Sequence, residues 1–186
     1  MKIHHYFIIV LLIANSTFTM AETCQNILKP KLPINEPPRY VDANTYSMVK
    51  DDTVEIRDNW TGLIWQRCSL GQTWVKNLNT KEYICSGSAS GYTWAEALKA
   101  AKDVGNGYRL PNIKELQSLT QENCGVDSIA INGVLFPNAV TLNYYWSSSS
   151  NARNGNLAWG VRFYDGHSGN DSKMNKNYVR LVRGGR

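Results

Sequence analysis

The chain has 186 residues, with 20 Lys plus Arg against 15 Asp plus Glu and four Cys. That length suits one domain with a tail, and 42% apolar with 11% aromatic residues supplies a core and excludes wholesale disorder. The formal charge of +5 includes a segment that reads as removable.

Residues 1–21 have the pattern of a secretory signal peptide: Lys2 at the start, the apolar stretch Phe7 to Ala14, and the small-x-small site Thr19-Met20-Ala21. Eight apolar residues span ~12 Å as a helix, short of the ~30 Å hydrocarbon core, so no membrane span is expected. Glu22 and Thr23 directly before Cys24 disfavour lipidation. The expected product is exported to the periplasm, cell surface or exterior, with 19 bases against 15 acids and His167 as its single histidine.

Residues 22–40 carry Pro30, Pro33, Pro37 and Pro38 and read as an extended leader, because proline lacks an N–H and restricts its predecessor. Residues 41–186 read as the globular body. Asp51 to Arg57 alternates as a strand, Asp58 to Gly62 is a turn, and Leu63 to Cys68 is a second strand, together a hairpin. Gly71 to Cys85 is less regular, with a loop tip at Asn77 to Thr80. Thr93-x-x-Glu96 is a capping box before the stripe Trp94, Ala97, Leu98, Ala101. Asn112-x-x-Glu115 repeats the device before Ile113, Leu116 and Leu119, after Pro111. Strand patterns return at Tyr144 to Ser147, Leu157 to Phe163 and Tyr178 to Arg183, separated by Asn, Ser and Gly loops. Strands, two helices, then strands make an α+β domain rather than a doubly wound one.

Four cysteines outside the cytoplasm read as two disulfides, with three connectivities open. Zinc is the weaker reading, since no CxxC occurs and one histidine does not complete a site.

Six motifs occur in order: Asp58-x-x-Thr61-Gly62-Leu63-Ile64-Trp65-Gln66, Tyr92-Thr93-Trp94-x-x-Ala97-Leu98, Arg109-Leu110-Pro111-Asn112-x-Lys114-Glu115-Leu116, Phe136-Pro137-Asn138, Tyr145-Trp146-Ser147-Ser148 and Tyr178 to Gly185. From Asp51 to Arg186 the chain thus resembles the Lcl C-terminal domain family, the domain that ends bacterial collagen-like adhesins. The resemblance implies a C-type-lectin-like α+β fold, two helices against a twisted antiparallel sheet, without enzymatic activity. In the adhesin the domain binds sulfated glycosaminoglycans. Two departures stand out: Tyr108 where the family usually has Trp, and no collagen-like repeats, so the avidity of a trimeric stalk is absent. Family members tend to carry the positions of Cys68 and Cys85 together, which implies that pairing and leaves Cys24 with Cys124. Closing the Cys68–Cys85 loop removes ~3 kcal/mol of unfolded-state entropy.

Trp65, Trp94, Trp146 and Trp159 sit at core-type positions. Trp60 and Trp74 lie among polar neighbours, as at turns, and are candidate stacking surfaces for a ligand. Arg109 reads as a lock on the loop before the second helix, and Glu115 as its cap. Enzyme signatures fail: Ser147 to Ser150 lack a nucleophile elbow, and His167 has no neighbour that marks it as a base. Asp165, Asn170 and Asp171 offer oxygen ligands for Ca²⁺. The Glu-Pro-Asn and Trp-Asn-Asp signatures of calcium-dependent sugar lectins do not occur, however, so no metal and no cofactor are expected.

Charge is the stronger signal. Residues 151–186 hold seven bases (Arg153, Arg162, Lys173, Lys176, Arg180, Arg183, Arg186) against Asp165 and Asp171, while residues 22–150 are nearly neutral. Clustered cations attract polyanions in a salt-dependent way. The expectation is therefore a binding domain for acidic or sulfated glycans, with Lys173, Lys176, Arg153 and Arg162 as contacts. The alternative is a structural or assembly subunit that binds a surface protein or a second copy of itself. Nucleic acid is not expected as a partner of an exported chain.

Overall fold

The structure is a computed structural model that describes residues 39–42, 52–120 and 130–185. In chain order it has β1 (Tyr40–Asp42), β2 (Glu55–Asp58), β3 (Leu63–Gln66), β4 (Thr73–Lys76), β5 (Tyr83–Ser86), α1 (Trp94–Asp103), α2 (Ile113–Gln117), β6 (Tyr144–Ser150), β7 (Leu157–Arg162), β8 (His167–Ser172) and β9 (Val182–Gly184). The strands form three antiparallel sheets, in the orders β1-β2-β3-β9, β4-β5 and β6-β7-β8. The fold is thus α+β, but strands expected to share one sheet are divided among three.

Local chemistry explains the elements that the sequence marks. The β2–β3 turn closes with Gly62 N–H on the Asp58 carbonyl at 2.7 Å and Trp60 N–H on Asp58 Oδ1 at 3.0 Å. Its last residue, Gly62, has φ 73°, a conformation that a side chain would strain. At α1 the Thr93 hydroxyl accepts from Glu96 N–H while Thr93 N–H donates to the Glu96 carboxylate. At α2, Asn112 and Glu115 make the same reciprocal pair.

Three elements depart from expectation. β1 takes in Tyr40, at the end of the stretch read as leader, and Arg39 beside it binds the buried Asp58 carboxylate at 2.9 Å. Trp74 is on strand β4 rather than at a turn: its polar neighbours mark the exposed side of a two-stranded sheet. β8 forms from His-Ser-Gly-Asn-Asp-Ser, with no apolar alternation, because all six residues pair with β7 along an edge.

Two cores flank the central strands. One gathers Ile56, Trp65, Leu116, Phe136, Tyr145, Val161 and Val182; the other gathers Ala97, Ala101, Tyr108, Trp146, Val179 and Leu181. Tyr145 and Trp146 are successive residues of β6 and serve different cores, as alternation along a strand dictates. Trp65 and Trp146 are fully buried, whereas Trp94 and Trp159, also expected in the core, are half-buried. Cys68 and Cys85 form a disulfide, Cα to Cα 5.3 Å, that fastens the β4–β5 sheet to the end of β3. The expected Cys24–Cys124 pairing lies outside the described residues. Among the described residues no helix is long and apolar enough to cross a membrane.

Candidate functional site

One end of the β6-β7-β8 sheet collects cations on an asparagine-built frame. The β6–β7 turn is held by Asn151, whose Oδ1 accepts from Arg153 N–H at 2.8 Å and Asn154 N–H at 3.3 Å. Asn151 Nδ2 also donates to Asn170 on β8 at 2.8 Å. Near the end of β8, Asp171 accepts from the side chains of Asn175 at 2.8 Å and Asn177 at 2.7 Å, which shapes the loop bearing Lys173 and Lys176. That loop is tied to the start of α1, where Trp94 N–H donates to the Lys173 carbonyl at 3.0 Å.

Lys173 is the junction. Its ammonium donates to Gly155 O at 2.7 Å and Ser150 Oγ at 2.8 Å, and lies 4.2 Å from the centroid of the Trp94 ring. Arg153 and Lys176 are exposed, and neither side chain has a hydrogen-bond or ion-pair partner among the described residues. The nearby acid is Glu96, held below its usual value by the Thr93 amide and hydroxyl, with the Lys176 charge adding to the effect.

The remaining late cations are engaged elsewhere. Arg162, at the far end of β7 and ~17 Å along the strand from Leu157 at ~3.3 Å per residue, is ion-paired with Asp165. Arg183 pairs with Glu55 at 2.8 Å. Arg180 is fully buried: it donates to Gln66 O at 3.1 Å and Arg67 O at 2.6 Å, between the rings of Phe136 and Tyr145. Burial pushes its guanidinium below the usual arginine value. Arg180 therefore belongs to the core and not to the basic surface that its position in the charge run suggested. Arg186 lies outside the described residues.

The two candidate stacking rings differ. Trp60 is 72% exposed and carries the Arg39 guanidinium 4.6 Å from its centroid. Trp74 is enclosed between Arg67, at 4.1 Å, and Tyr83, at 5.8 Å. The ring that meets the cationic end is Trp94; its place as the first residue after the helix cap, at the end of the apolar stripe, was the available signal.

Asp165, Asn170 and Asp171 serve separate local bonds, and the described residues contain no group of acids, histidines or cysteines arranged to hold a metal. The serine run is likewise occupied. Ser147 Oγ donates to Trp159 O at 2.7 Å, Ser148 N–H to Pro111 O at 2.8 Å, and Ser149 Oγ accepts from Ile113 N–H at 3.1 Å.

A second feature lies between α1 and α2. Arg109 grips Glu115 through two bonds of 2.7 and 2.8 Å and reaches Gly184 O at 3.1 Å. Burial pushes the Glu115 carboxyl up, but the Arg109 bond, the Asn112 amide and the Arg109 charge outweigh it and hold the group below its usual value. Beside this pair is an open depression of ≈ 400 Å³.

The family model described as the Lcl C-terminal domain matches residues 54–183. No curated protein matches the chain.

Proposed function

Because the chain belongs to the Lcl C-terminal domain family, we propose that it is an exported, non-enzymatic recognition domain of C-type-lectin-like fold that binds acidic or sulfated glycans. In this reading residues 1–21 are removed on export, residues 22–40 lead into the body, and residues 41–186 recognise the ligand. The observation that carries it is the convergence of three separate elements, the β6–β7 turn, the loop after β8 and the start of α1, on Lys173, with Arg153 exposed on the first of them and Lys176 on the second. Each contact to a sulfate or carboxylate at such exposed positions is weak and screened by salt, so binding depends on several acting together.

Arg153 and Lys176 are the informative residues, because Lys173 also ties the frame. Arg153→Gln with Lys176→Gln should elute from a heparin column at markedly lower salt than the parent while melting at the same temperature. Unchanged retention, or parental retention insensitive to salt, would refute the proposal.

A surface-protein partner or self-association is the second reading. It is supported by Val54 and Val134, 52% and 64% exposed, whose carbonyls both bond to Arg67. Val54→Lys with Val134→Lys would then abolish capture of a partner from envelope extracts and leave heparin retention intact.

A further inference from the structure

The depression between the helices has a chemistry unlike that of the cationic end. Leu98 and Lys102 stand one turn apart on α1 and so share a face, and with Asn112 and Ser148 they line it. Tyr108 and Leu110, exposed by only 7% and 2%, close its base, and the Arg109–Glu115 pair lies alongside.

What matters is which polar groups there are already used. Both Glu115 oxygens accept, from Arg109 and from Asn112 N–H. The Arg109 Nη atoms reach Glu115, Leu110 O and Gly184 O. Asn112 Oδ1 caps Glu115 N–H, and Ser148 donates its N–H and hydroxyl to Pro111 O. Among the described residues the Lys102 ammonium and the Asn112 side-chain NH₂ make no hydrogen bond, and the buried Tyr108 hydroxyl has no partner. The side-chain capacity left at the rim is thus weighted to donors, the charged Lys102 and the Asn112 NH₂, with the Ser148 hydroxyl oxygen as an acceptor that receives no bond among the described residues, beside an apolar wall.

We propose that this depression binds an apolar monocarboxylate, with Lys102 and Asn112 taking the carboxylate and Leu98 the aliphatic or aromatic body. A polyhydroxylated sugar would bring several donors to a rim that offers few free acceptors, whereas a carboxylate brings only acceptors to match Lys102 and Asn112. The volume of ≈ 400 Å³ is within the range of small-molecule sites and holds one residue-sized ligand. The same chemistry describes a free short acid and the last residue of a polypeptide. This site is independent of the glycan reading and shares none of its three cations.

The test titrates the isotope-labelled exported protein with isocaproate, N-acetyl-leucine and the neutral N-acetyl-leucinamide, followed by amide NMR. Both acids, or N-acetyl-leucine alone, should shift the amides of Leu98, Lys102, Asn112 and Ser148 saturably. Equal binding of the two acids identifies a free acid as the ligand type, and a strong preference for N-acetyl-leucine identifies a chain end. Lys102→Gln should weaken binding about tenfold, the size of one charge-assisted hydrogen bond, and Lys102→Arg should restore it. Absence of saturable shifts at these residues, equal binding of the amide, or indifference to Lys102→Gln would overturn the proposal. Heparin retention of Lys102→Gln reports separately on the cationic end.

Discussion

Arg180 donates to two backbone carbonyls from inside the core, so its removal leaves buried acceptors without a donor. Arg180→Ala should cost about 3–5 kcal/mol, the range for breaking a buried charged network, measured by urea unfolding. Arg180→Lys should recover less than half, because an ammonium lacks the planar fork. Nothing in the sequence separates this arginine from Arg183 three residues on. Val179 and Leu181 alternate as one apolar face, yet Val182 on the other face is buried as well, so the segment is enclosed on both sides and its arginine with it. Tyr40 gives a prediction of opposite sign to acid denaturation. Burial first, and the Asp58 charge after it, push its phenol up to about 12 against the opposing Arg39 cation. An unfolded tyrosine ionises near ~10, so between those values the unfolded state loses the proton first and stability falls as pH rises. Tyr40→Phe should flatten that alkaline limb, read as melting temperature against pH.

At the scale of elements, the helices were legible because a capping box is local: four residues state the start of a helix wherever it packs. Thr93→Ala should cost roughly 1 kcal/mol. The Arg109–Glu115–Asn112 unit adds a pH dependence. The carboxyl titrates below its ordinary value of 4.5 when folded. The unit's stabilisation is therefore complete above that value and lost as pH falls through the lower, folded one. Glu115→Gln should remove this acid limb and lower stability by roughly 1 kcal/mol at neutral pH, the size of a cap and a part-exposed ion pair. The β4–β5 sheet and β8 were poorly legible for the converse reason. β4 and β5 show no alternation of buried and exposed positions, β8 has no apolar residue, and a register such as Gly160 opposite Gly169 is set by the partner strand. What holds β4–β5 in place is the Cys68–Cys85 bond and the Arg67 stack on Trp74. Replacing both cysteines by serine should cost about 3 kcal/mol and raise hydrogen exchange first in residues 73–86.

At the scale of the molecule, the charge run over residues 151–186 is split up by folding. Position in sequence placed seven cations together. The fold buries Arg180, pairs Arg162 and Arg183 with acids, and leaves Arg153 and Lys176 without an ion-pair partner among the described residues. Which cations face solvent depends on contacts such as Arg183 with Glu55, more than a hundred residues apart, and no local pattern carries that information. The depression between the helices was invisible for a similar reason, since Lys102 and Ser148 become neighbours only once α1 packs on β6.

Strand β9 pairs with β3, Leu63 opposite Gly184. A chain emerging from the ribosome therefore holds an unfinished four-stranded sheet, with one flank of β3 bare, until Val182 to Gly184 have been synthesised. Closing so distant a pair is slow, so the bare flank of β3 stays open to the wrong strands throughout synthesis up to β9.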